Sequence, residues 1–395
     1  MPGTSLRTRP VREDSRLNFR AGRFLLTIVV MSEWDKIIGH RWAVDVLRSA
    51  IQYNRVGHAY LITGPAQVGK GTLATTFAQA LNCTDEDPSQ RPCGRCRSCT
   101  LIAAGRHPDI RIVEGEASGR VKSAIKIDQI RQLQTDLNLT ATEARIKVAI
   151  LEQFEKATRG ASNAFLKTLE EPPGNVVLIL TANEASTYLP AAIAQRPVRE
   201  GAPDSLWDES DIILPTITSR CRTIGLRPLP TALIETALVE RWAVEPDLAH
   251  LLAHLASGRI GRAVTLAQNP DLLAERESRL ESLYEFLEGS RVKRFAAADR
   301  LARDPEALPE ILQLWLGFWR DLVLSAIVAG DDRAISNVDQ IDRLARYART
   351  WPSEAILNSL RRTEEALWQL ERNANTRLVL ENLLLTYPRE QQLPV

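Results

Sequence analysis

Short apolar runs alternate with amphipathic segments over the first part of the chain. The runs Ala59–Thr63, Lys147–Leu151 and Asn175–Thr181 are rich in apolar residues, which is typical of strands buried on both faces. Helical spacing of apolar residues surrounds these runs, at Ala43–Tyr53, Leu73–Leu81 and Ser162–Glu170. Strands that alternate with helices predict an α/β domain in which helices cover both faces of a parallel sheet.

The pattern changes after Pro230 and is helical to the end of the chain. It predicts a small helical unit followed by a bundle of longer helices. Trp315, Phe318 and Trp319 have helical spacing, which predicts a core or a subunit interface rather than a cofactor site. The predicted helices are Leu233–Trp242, Asp247–Ala256, Gly261–Ala267, Glu310–Val328, Ser353–Asn373 and Thr376–Leu385.

Two segments do not fit this pattern. Residues 1–30 carry six arginines and then a short apolar stretch, which resembles a secretory signal without a cleavage site. We interpret them as an extension upstream of the true start at Met31, or alternatively as a disordered basic arm. Residues 184–212 hold three prolines and many charges between two regular segments, so we interpret them as a surface insertion.

Composition limits the possible functions. The 395 residues are 44% hydrophobic, enough for a buried core and for two or three domains. The net charge is +1, so the chain has no overall basic field, and contact with nucleic acid would need a local patch or partner subunits. No run of 18 apolar residues is present, so we expect no membrane-spanning helix and a cytoplasmic protein.

A glycine-rich turn follows the first predicted strand and leads into a helix. It reads Gly64-Pro65-Ala-Gln-Val-Gly69-Lys70. Glycines let the backbone curl so that N–H groups face phosphate oxygens, the helix N-terminus adds partial positive charge, and the lysine reaches the terminal phosphates. In this context the motif predicts a site for ATP or ADP.

The residue after the lysine departs from the usual motif. Ser or Thr normally stands there and binds magnesium through its hydroxyl. Here Gly71 follows Lys70, and Thr72 comes one position late. One residue along an α-helix is a rotation of about 100°, so Thr72 is not expected to point at the same place. The sequence therefore argues against magnesium coordination.

The second predicted strand shows a further departure. An acidic residue at this strand end usually holds magnesium, and a neighbouring carboxylate usually polarises the attacking water. The chain has Glu152 and Gln153 there, and an amide cannot act as a base. Two alternatives follow, a nucleotide site with little or no hydrolysis, or a degenerate site kept only for its folded shape.

Four of the five cysteines are close in sequence. Cys83, Cys93, Cys96 and Cys99 have the spacing C-x9-C-x2-C-x2-C, in which two-residue gaps let thiolates converge on one tetrahedral ion. This spacing predicts a structural zinc site. The alternatives are two disulfides or an iron–sulfur cluster.

Arg220 lies in the run Thr216-Ile-Thr-Ser-Arg220-Cys221 after the insertion. An arginine at the edge of a nucleotide-binding domain can reach into a neighbour's site and stabilise charge on the transferred phosphoryl group. From spacing alone, an ordinary surface arginine is the simpler interpretation.

These motifs together resemble the delta-prime subunits of the bacterial DNA polymerase III clamp loader, within the AAA+ superfamily. The resemblance covers about Trp34 to Leu385. The segments that carry it are His58-Ala-Tyr-Leu, the phosphate loop, the four cysteines, Asn163-Ala-Phe-Leu-Lys-Thr-Leu-Glu-Glu-Pro-Pro173 and Leu214-Pro-Thr-Ile-Thr-Ser-Arg-Cys221.

The resemblance implies a hetero-pentamer with gamma/tau and delta subunits that acts on a sliding clamp and primed DNA. It implies that Arg220 completes the ATP site of the adjacent motor subunit, that Asn183 lies near the first sensor position, and that Arg262 matches the sensor arginine of the lid. The resemblance implies an ATPase-like domain, a helical lid and a collar, and we place them at 31–228, with zinc module 83–99 and the insertion 184–212, at 229–270 and at 271–388, after the extension 1–30.

Two other functions are considered. A gamma/tau motor subunit shares the cysteines and the Ser-Arg-Cys run, but it should have Asp-Glu at the second strand and Thr after the lysine. A stand-alone P-loop ATPase or kinase would need the same metal ligand and carboxylate. Gly71 and Gln153 therefore favour a non-motor subunit, and the insertion 184–212 departs from both clamp-loader patterns.

Overall fold

The computed structural model describes residues 32–118, 121–183, 213–327, 334–372 and 374–389. The predicted extension 1–30 and the predicted insertion 184–212 lie outside these residues. Within them, no helix is both long enough and apolar enough to cross a membrane.

A parallel sheet forms the centre of the N-terminal part, as predicted, but it has five strands and not only the three that the apolar runs identified. Its strand order is β2-β5-β6-β1-β7, and a separate antiparallel hairpin joins β3 to β4. The bounds are β1 Ala59–Thr63, β2 Ile110–Val113, β3 Glu116–Ser118, β4 Val121–Ala124, β5 Lys147–Leu151, β6 Val176–Ala182 and β7 Arg222–Gly225.

Helices cover both faces of this sheet, because alternate residues of each strand point to opposite sides. On β1, Tyr60 and Ile62 pack with Phe77 and its helix on one face. Ala59 and Leu61 pack in the cluster on the other face. The covering helices are α1 Arg41–Gln52, α2 Lys70–Asn82 and α3 Arg97–Ala103 on the first face, and α4 Ile127–Asn138 and α5 Arg159–Glu170 on the second.

The phosphate loop consists of residues 64–69, which connect the end of β1 directly to the start of α2. Gly64 has φ +146°, and a Cβ there would lie 2.5 Å from the carbonyl oxygen of Leu226, so only glycine fits. Gly69 has φ +109° and immediately precedes the first residue of α2. The predicted strand, loop and helix are therefore confirmed, with α2 beginning earlier than the apolar spacing indicated.

The remainder of the described chain is helical, as predicted. The collar helices bury Trp315, Phe318 and Trp319 completely, so the core interpretation of these aromatics is confirmed. The bounds are α6 Pro215–Thr218, α7 Thr231–Trp242, α8 Pro246–Ala256, α9 Ile260–Gln268, α10 Asp271–Glu288, α11 Arg291–Leu301, α12 Leu308–Ile327, α13 Ile341–Thr350, α14 Ser353–Glu371 and α15 Thr376–Thr386.

Buried apolar residues of the described chain group into four clusters. One lies on each face of the sheet, one is built mainly by α7, α8 and α9, and one by α10 to α15. This grouping is consistent with a sheet domain, a lid and a collar. The residue boundaries given above for these domains stay a prediction.

Candidate functional site

Lys70 is folded back onto its own loop. Its Nζ donates to the carbonyl oxygens of Gly64 at 2.6 Å and Pro65 at 2.8 Å, and to Asn183 Oδ1 at 3.4 Å. Burial lowers the pKa of Lys70, and the nearby carboxylates of Glu155 and Glu152 partly oppose that shift. The phosphate loop thus satisfies its own lysine, so a nucleotide phosphate would have to replace these carbonyls.

Glu152 occupies space that Gly71 leaves open. A Cβ at Gly71 would lie 3.0 Å from Glu152 Oε1, which is tighter than an ordinary contact. The two departures from the usual motif are therefore coupled in space, because a Ser or Thr after Lys70 would crowd the longer Glu152 side chain. Burial and the charge of Glu114 raise the pKa of Glu152, while Lys70 lowers it.

Gln153 is fixed next to Glu152 in an unusual backbone conformation. Its φ is +51°, and its N–H donates to Thr181 Oγ1 on the neighbouring strand at 3.1 Å. The backbone of this strand end is therefore held in place. Its side chain is still an amide, so this position holds no carboxylate that could polarise water.

Glu155 is a buried carboxylate that the sequence reasoning missed. Its residue exposure is 7%, and neither carboxylate oxygen has a hydrogen-bond partner among the described residues. Burial raises its pKa, whereas the nearby backbone N–H groups of Glu155 and Asn183, which do not reach hydrogen-bond geometry, and the positive charges of Lys70 and Lys156 act in the opposite direction. The only sequence signal was its position, three residues after Glu152 at the end of a buried strand.

Changing Glu155 to glutamine is expected to stabilise the chain more at pH 8 than at about pH 4. A carboxyl whose pKa is raised in the folded state stabilises folding below its unfolded pKa, and this contribution is lost as the pH rises through the folded pKa. Glutamine does not ionise, so the variant should gain stability relative to the wild type as the pH rises over that range. Chemical denaturation at the two pH values measures the difference.

Glu171 to glutamine is the matched control, because Glu171 is exposed in the described chain. Its stability relative to the wild type should change little between the two pH values. An equal pH dependence in both variants would contradict the assignment of a costly buried charge to Glu155.

The lid helix α9 begins directly against the phosphate loop. The N–H of Gly261 donates to the carbonyl oxygen of Gln67 at 2.8 Å, and a Cβ at Gly261 would meet that oxygen at 2.8 Å. Arg262 follows, but burial and the charges of Arg259 and Arg276 lower its pKa to about 10. The structure thus brings the lid to the loop, while the largest charge interactions of Arg262 are with arginines of the lid and collar.

Arg220 lies at the surface, just after α6. Its side chain is 36% exposed and its Nη2 lies 2.8 Å from Glu170 Oε1 at the end of α5. Thr72, the other polar residue near the lysine, is exposed on the first turn of α2. Arg220 therefore does not belong to this chain's own phosphate loop, whose hydrogen-bonded cluster is Lys70 with Asn183.

The four cysteines come together as the spacing predicted. Their Sγ atoms all lie within 4.8 Å of one another. Cys83 ends α2 and Cys96 caps α3, so two helix ends and the turn between them place the thiols. Backbone N–H groups also point at sulfur, with Cys93 N 3.3 Å from Cys83 Sγ and Cys96 N 3.4 Å from Cys93 Sγ.

This donor set fits a soft divalent metal ion. All four cysteines are free thiols rather than disulfides, so the disulfide alternative is not supported. Burial raises the pKa of Cys83 and Cys99, so a cation among them is needed to hold both as thiolates at neutral pH. The cluster can therefore bind a metal, with four protein ligands and no open position.

Sequence models of two protein families match this chain. The one described as "DNA polymerase III, delta subunit" matches residues 39–197, and the one described as "DNA polymerase III, delta subunit, C terminal" matches residues 270–388. Together they cover more than two thirds of the chain. The first match includes the phosphate loop and all four clustered cysteines, and the second lies in the collar helices.

Similar proteins point in the same direction. The DNA polymerase III subunit delta' of Bacillus subtilis is 28% identical over 346 residues, which cover 87% of this chain and 94% of that protein. That of Pseudomonas aeruginosa is 41% identical over 151 residues, covering 37% of this chain and 43% of that protein. The tau subunit of Escherichia coli is 29% identical over 235 residues, 58% of this chain but 32% of that protein.

The two kinds of relative differ in how far they match. The delta' sequence from Bacillus subtilis aligns along nearly its whole length, whereas the tau sequence aligns over about a third of its own. Together with the two family models, the parallel sheet and the phosphate loop, these matches show that the chain belongs to the delta' subunit family of bacterial DNA polymerase III.

Proposed function

We propose that this chain is a non-motor subunit of a clamp loader, which helps to load a sliding clamp onto primed DNA in the cytoplasm. Its partners would be gamma/tau and delta subunits in a hetero-pentamer. The non-motor assignment rests on the residues that follow β5. Gln153 stands there in place of the carboxylate that hydrolysis needs.

The surroundings of Lys70 support the same proposal. Its ammonium group already binds two loop carbonyls, and Glu152 fills the space beside Gly71 where a magnesium-binding hydroxyl would stand. Nucleotide binding through Gly64, Gly69 and Lys70 is still possible, with ATP or ADP replacing these contacts. We propose that a nucleotide bound at this site is not hydrolysed with magnesium.

For the cysteine cluster we propose zinc in a structural role. Cys83, Cys93, Cys96 and Cys99 would supply all four ligands, so no position is left for water or substrate. The bound ion would fix the turn between α2 and α3, on the surface of the sheet domain. An iron–sulfur cluster uses the same ligands and is the alternative that metal analysis would identify.

For Arg220 we propose a role in the neighbouring subunit's ATP site. The side chain is at the surface, is partly exposed and has its hydrogen bonds with Thr216 and Glu170, neither of which belongs to this chain's own phosphate loop. A guanidinium supplied in trans can neutralise charge on a transferred phosphoryl group. The chain would thus supply one charged group to a motor subunit and act otherwise as a rigid part of the ring.

The purified chain alone is expected to hydrolyse ATP at less than about one turnover per second, with or without primed DNA. The reason is the amide at Gln153 and the missing hydroxyl after Lys70. Phosphate release from the isolated chain measures the rate, and Lys70→Ala gives the background. A rate of several per second that Lys70→Ala abolishes would favour a motor subunit or a stand-alone ATPase instead.

A further inference from the structure

The guanidinium of Arg220 is held from two separate elements. Nη1 donates to the carbonyl oxygen of Thr216 in α6 at 2.8 Å. Nη2 donates to Glu170 Oε1 at 2.8 Å, across 50 residues of sequence. Helix α6 is itself anchored, because Ile217 is fully buried against the sheet. The position of the guanidinium is therefore set by the α/β core and not only by its own flexible side chain.

Helix α5 itself gives no reason for a glutamate at position 170. Glu170 is the last residue of the helix, where the partial negative charge of the C-terminus disfavours a carboxylate. Lys167 in the same turn has the sign that this end prefers. The contact that favours Glu170 is the one with Arg220.

This ion pair contributes little to stability. The side chains of Arg220 and Glu170 are 36% and 50% exposed, and ion pairs this exposed stabilise proteins little because water screens them. A guanidinium has five N–H donors, of which two are used here. The other three have no hydrogen-bond partner among the described residues, so they are available to an oxyanion from another molecule.

We propose that Glu170 is a positioning residue for Arg220. It binds one edge of the guanidinium and leaves the remaining N–H groups free for the phosphate of a nucleotide bound by the adjacent subunit. Holding a long side chain in advance reduces the conformational entropy that would otherwise be lost when the phosphate binds. This inference rests on the role proposed above for Arg220.

The test is a double-mutant cycle in the assembled complex. Glu170→Gln, Arg220→Ala and the double variant would each be reconstituted with the ATPase subunits, and single-turnover phosphate release would be followed. The phase that Arg220→Ala removes identifies the site beside this chain. Glu170→Gln should slow that phase by about three- to tenfold without changing ATP affinity, since it alters orientation and not the charge of Arg220.

The double variant should be no slower than Arg220→Ala, because Glu170 is proposed to act only through Arg220. Glu171→Gln is the control, a neighbouring exposed carboxylate with no hydrogen bond or ion pair from its side chain among the described residues. It should leave every phase unchanged. Native mass spectrometry and thermal unfolding check that all variants assemble and fold equally, and Glu170→Asp should give an intermediate rate.

The outcomes separate the inference from the proposed function. If Arg220→Ala slows release and Glu170→Gln does not, the positioning role of Glu170 is wrong and the role of Arg220 stands. If Glu170→Gln slows release further in the Arg220→Ala background, Glu170 acts by another route, and the inference is also wrong. If Arg220→Ala has no effect, the role proposed for Arg220 fails, and the inference fails with it.

Discussion

Replacing Cys96 with serine is expected to release the metal ion proposed for the cysteine cluster and to destabilise the segment that it holds. Cys96 caps α3 and its sulfur lies within 4.8 Å of the other three, so its loss removes a ligand from the centre of the cluster. Structural zinc supplies folding free energy directly. Because the three remaining cysteine ligands would then lack the cation that compensates their thiolate charge, the loss should be about 3 kcal/mol or more.

The damage should be local at first. The cluster segment is joined to the sheet domain by hydrogen bonds, from Gln79 Nε2 to the Cys99 carbonyl at 2.9 Å and from Trp34 Nε1 to the Arg91 carbonyl at 2.7 Å. These contacts hold the segment in place but cannot replace the ion that compensates the thiolates. Hydrogen exchange should therefore show loss of protection in α3 before the strands are affected.

Cys221→Ser is the matched control for this prediction. Cys221 lies outside the cluster, is half-buried, and burial raises its pKa to about 12, so it is a neutral thiol at pH 7. Its replacement should leave the metal content unchanged. Elemental analysis of both variants and their thermal unfolding are the measurements. A metal-free wild type that unfolds at the same temperature as the loaded protein would contradict a structural role for the ion.

Much of the sheet domain could be predicted because its signals are local. The runs around Leu61, Ile150 and Ile179 are buried on both faces, so continuous apolar sequence identified them. Strand β2 was missed, since it lies at the edge of the sheet and two of its four residues, Arg111 and Ile112, are exposed. The hairpin β3–β4 was missed as well, because its polar residues show no period that indicates a strand.

For the candidate site as well, the sequence predicted only the residues whose signals are local. Spacing identified Lys70 and the four cysteines, because a turn and a metal centre impose fixed distances along the chain. It could not identify Glu155 or Glu170. The importance of Glu155 depends on its burial near Lys70, and that of Glu170 on a contact with a residue 50 positions away. Burial and long-range contacts are properties of the folded chain, and one sequence does not encode them locally.

Arg262 illustrates how a correspondence by motif differs from a position in space. The resemblance implied a sensor role for it, and the lid helix does begin at the phosphate loop through Gly261. Its main charged neighbours, however, are Arg259 and Arg276. In a chain without a hydrolytic carboxylate, no requirement holds this arginine towards a phosphate, so its role stays a prediction.

Changing Arg220 to alanine is expected to slow ATP hydrolysis at one site of the assembled complex. In a single-turnover reaction, the rapid phase of phosphate release would then be smaller by one phosphate per complex. An arginine supplied in trans accelerates phosphoryl transfer by about 10³–10⁵-fold, because it neutralises charge that develops only in the transition state. Only the site beside this chain loses the guanidinium, so the other sites should keep their rate. Arg220→Lys should restore little, since an ammonium group cannot make the planar, two-pronged contact.

Arg131→Ala is the matched control, because Arg131 is an exposed arginine that also pairs with a carboxylate, that of Asp128 in the same helix α4. This variant should leave the amplitude and the rate of rapid phosphate release unchanged. Assembly and ATP affinity should be the same in both variants, since Arg220 makes only surface contacts in the described chain. If the Arg220→Ala complex released phosphate in a rapid phase of unchanged amplitude, hydrolysis at the neighbouring site would not depend on Arg220. The role proposed for this chain would then be structural only.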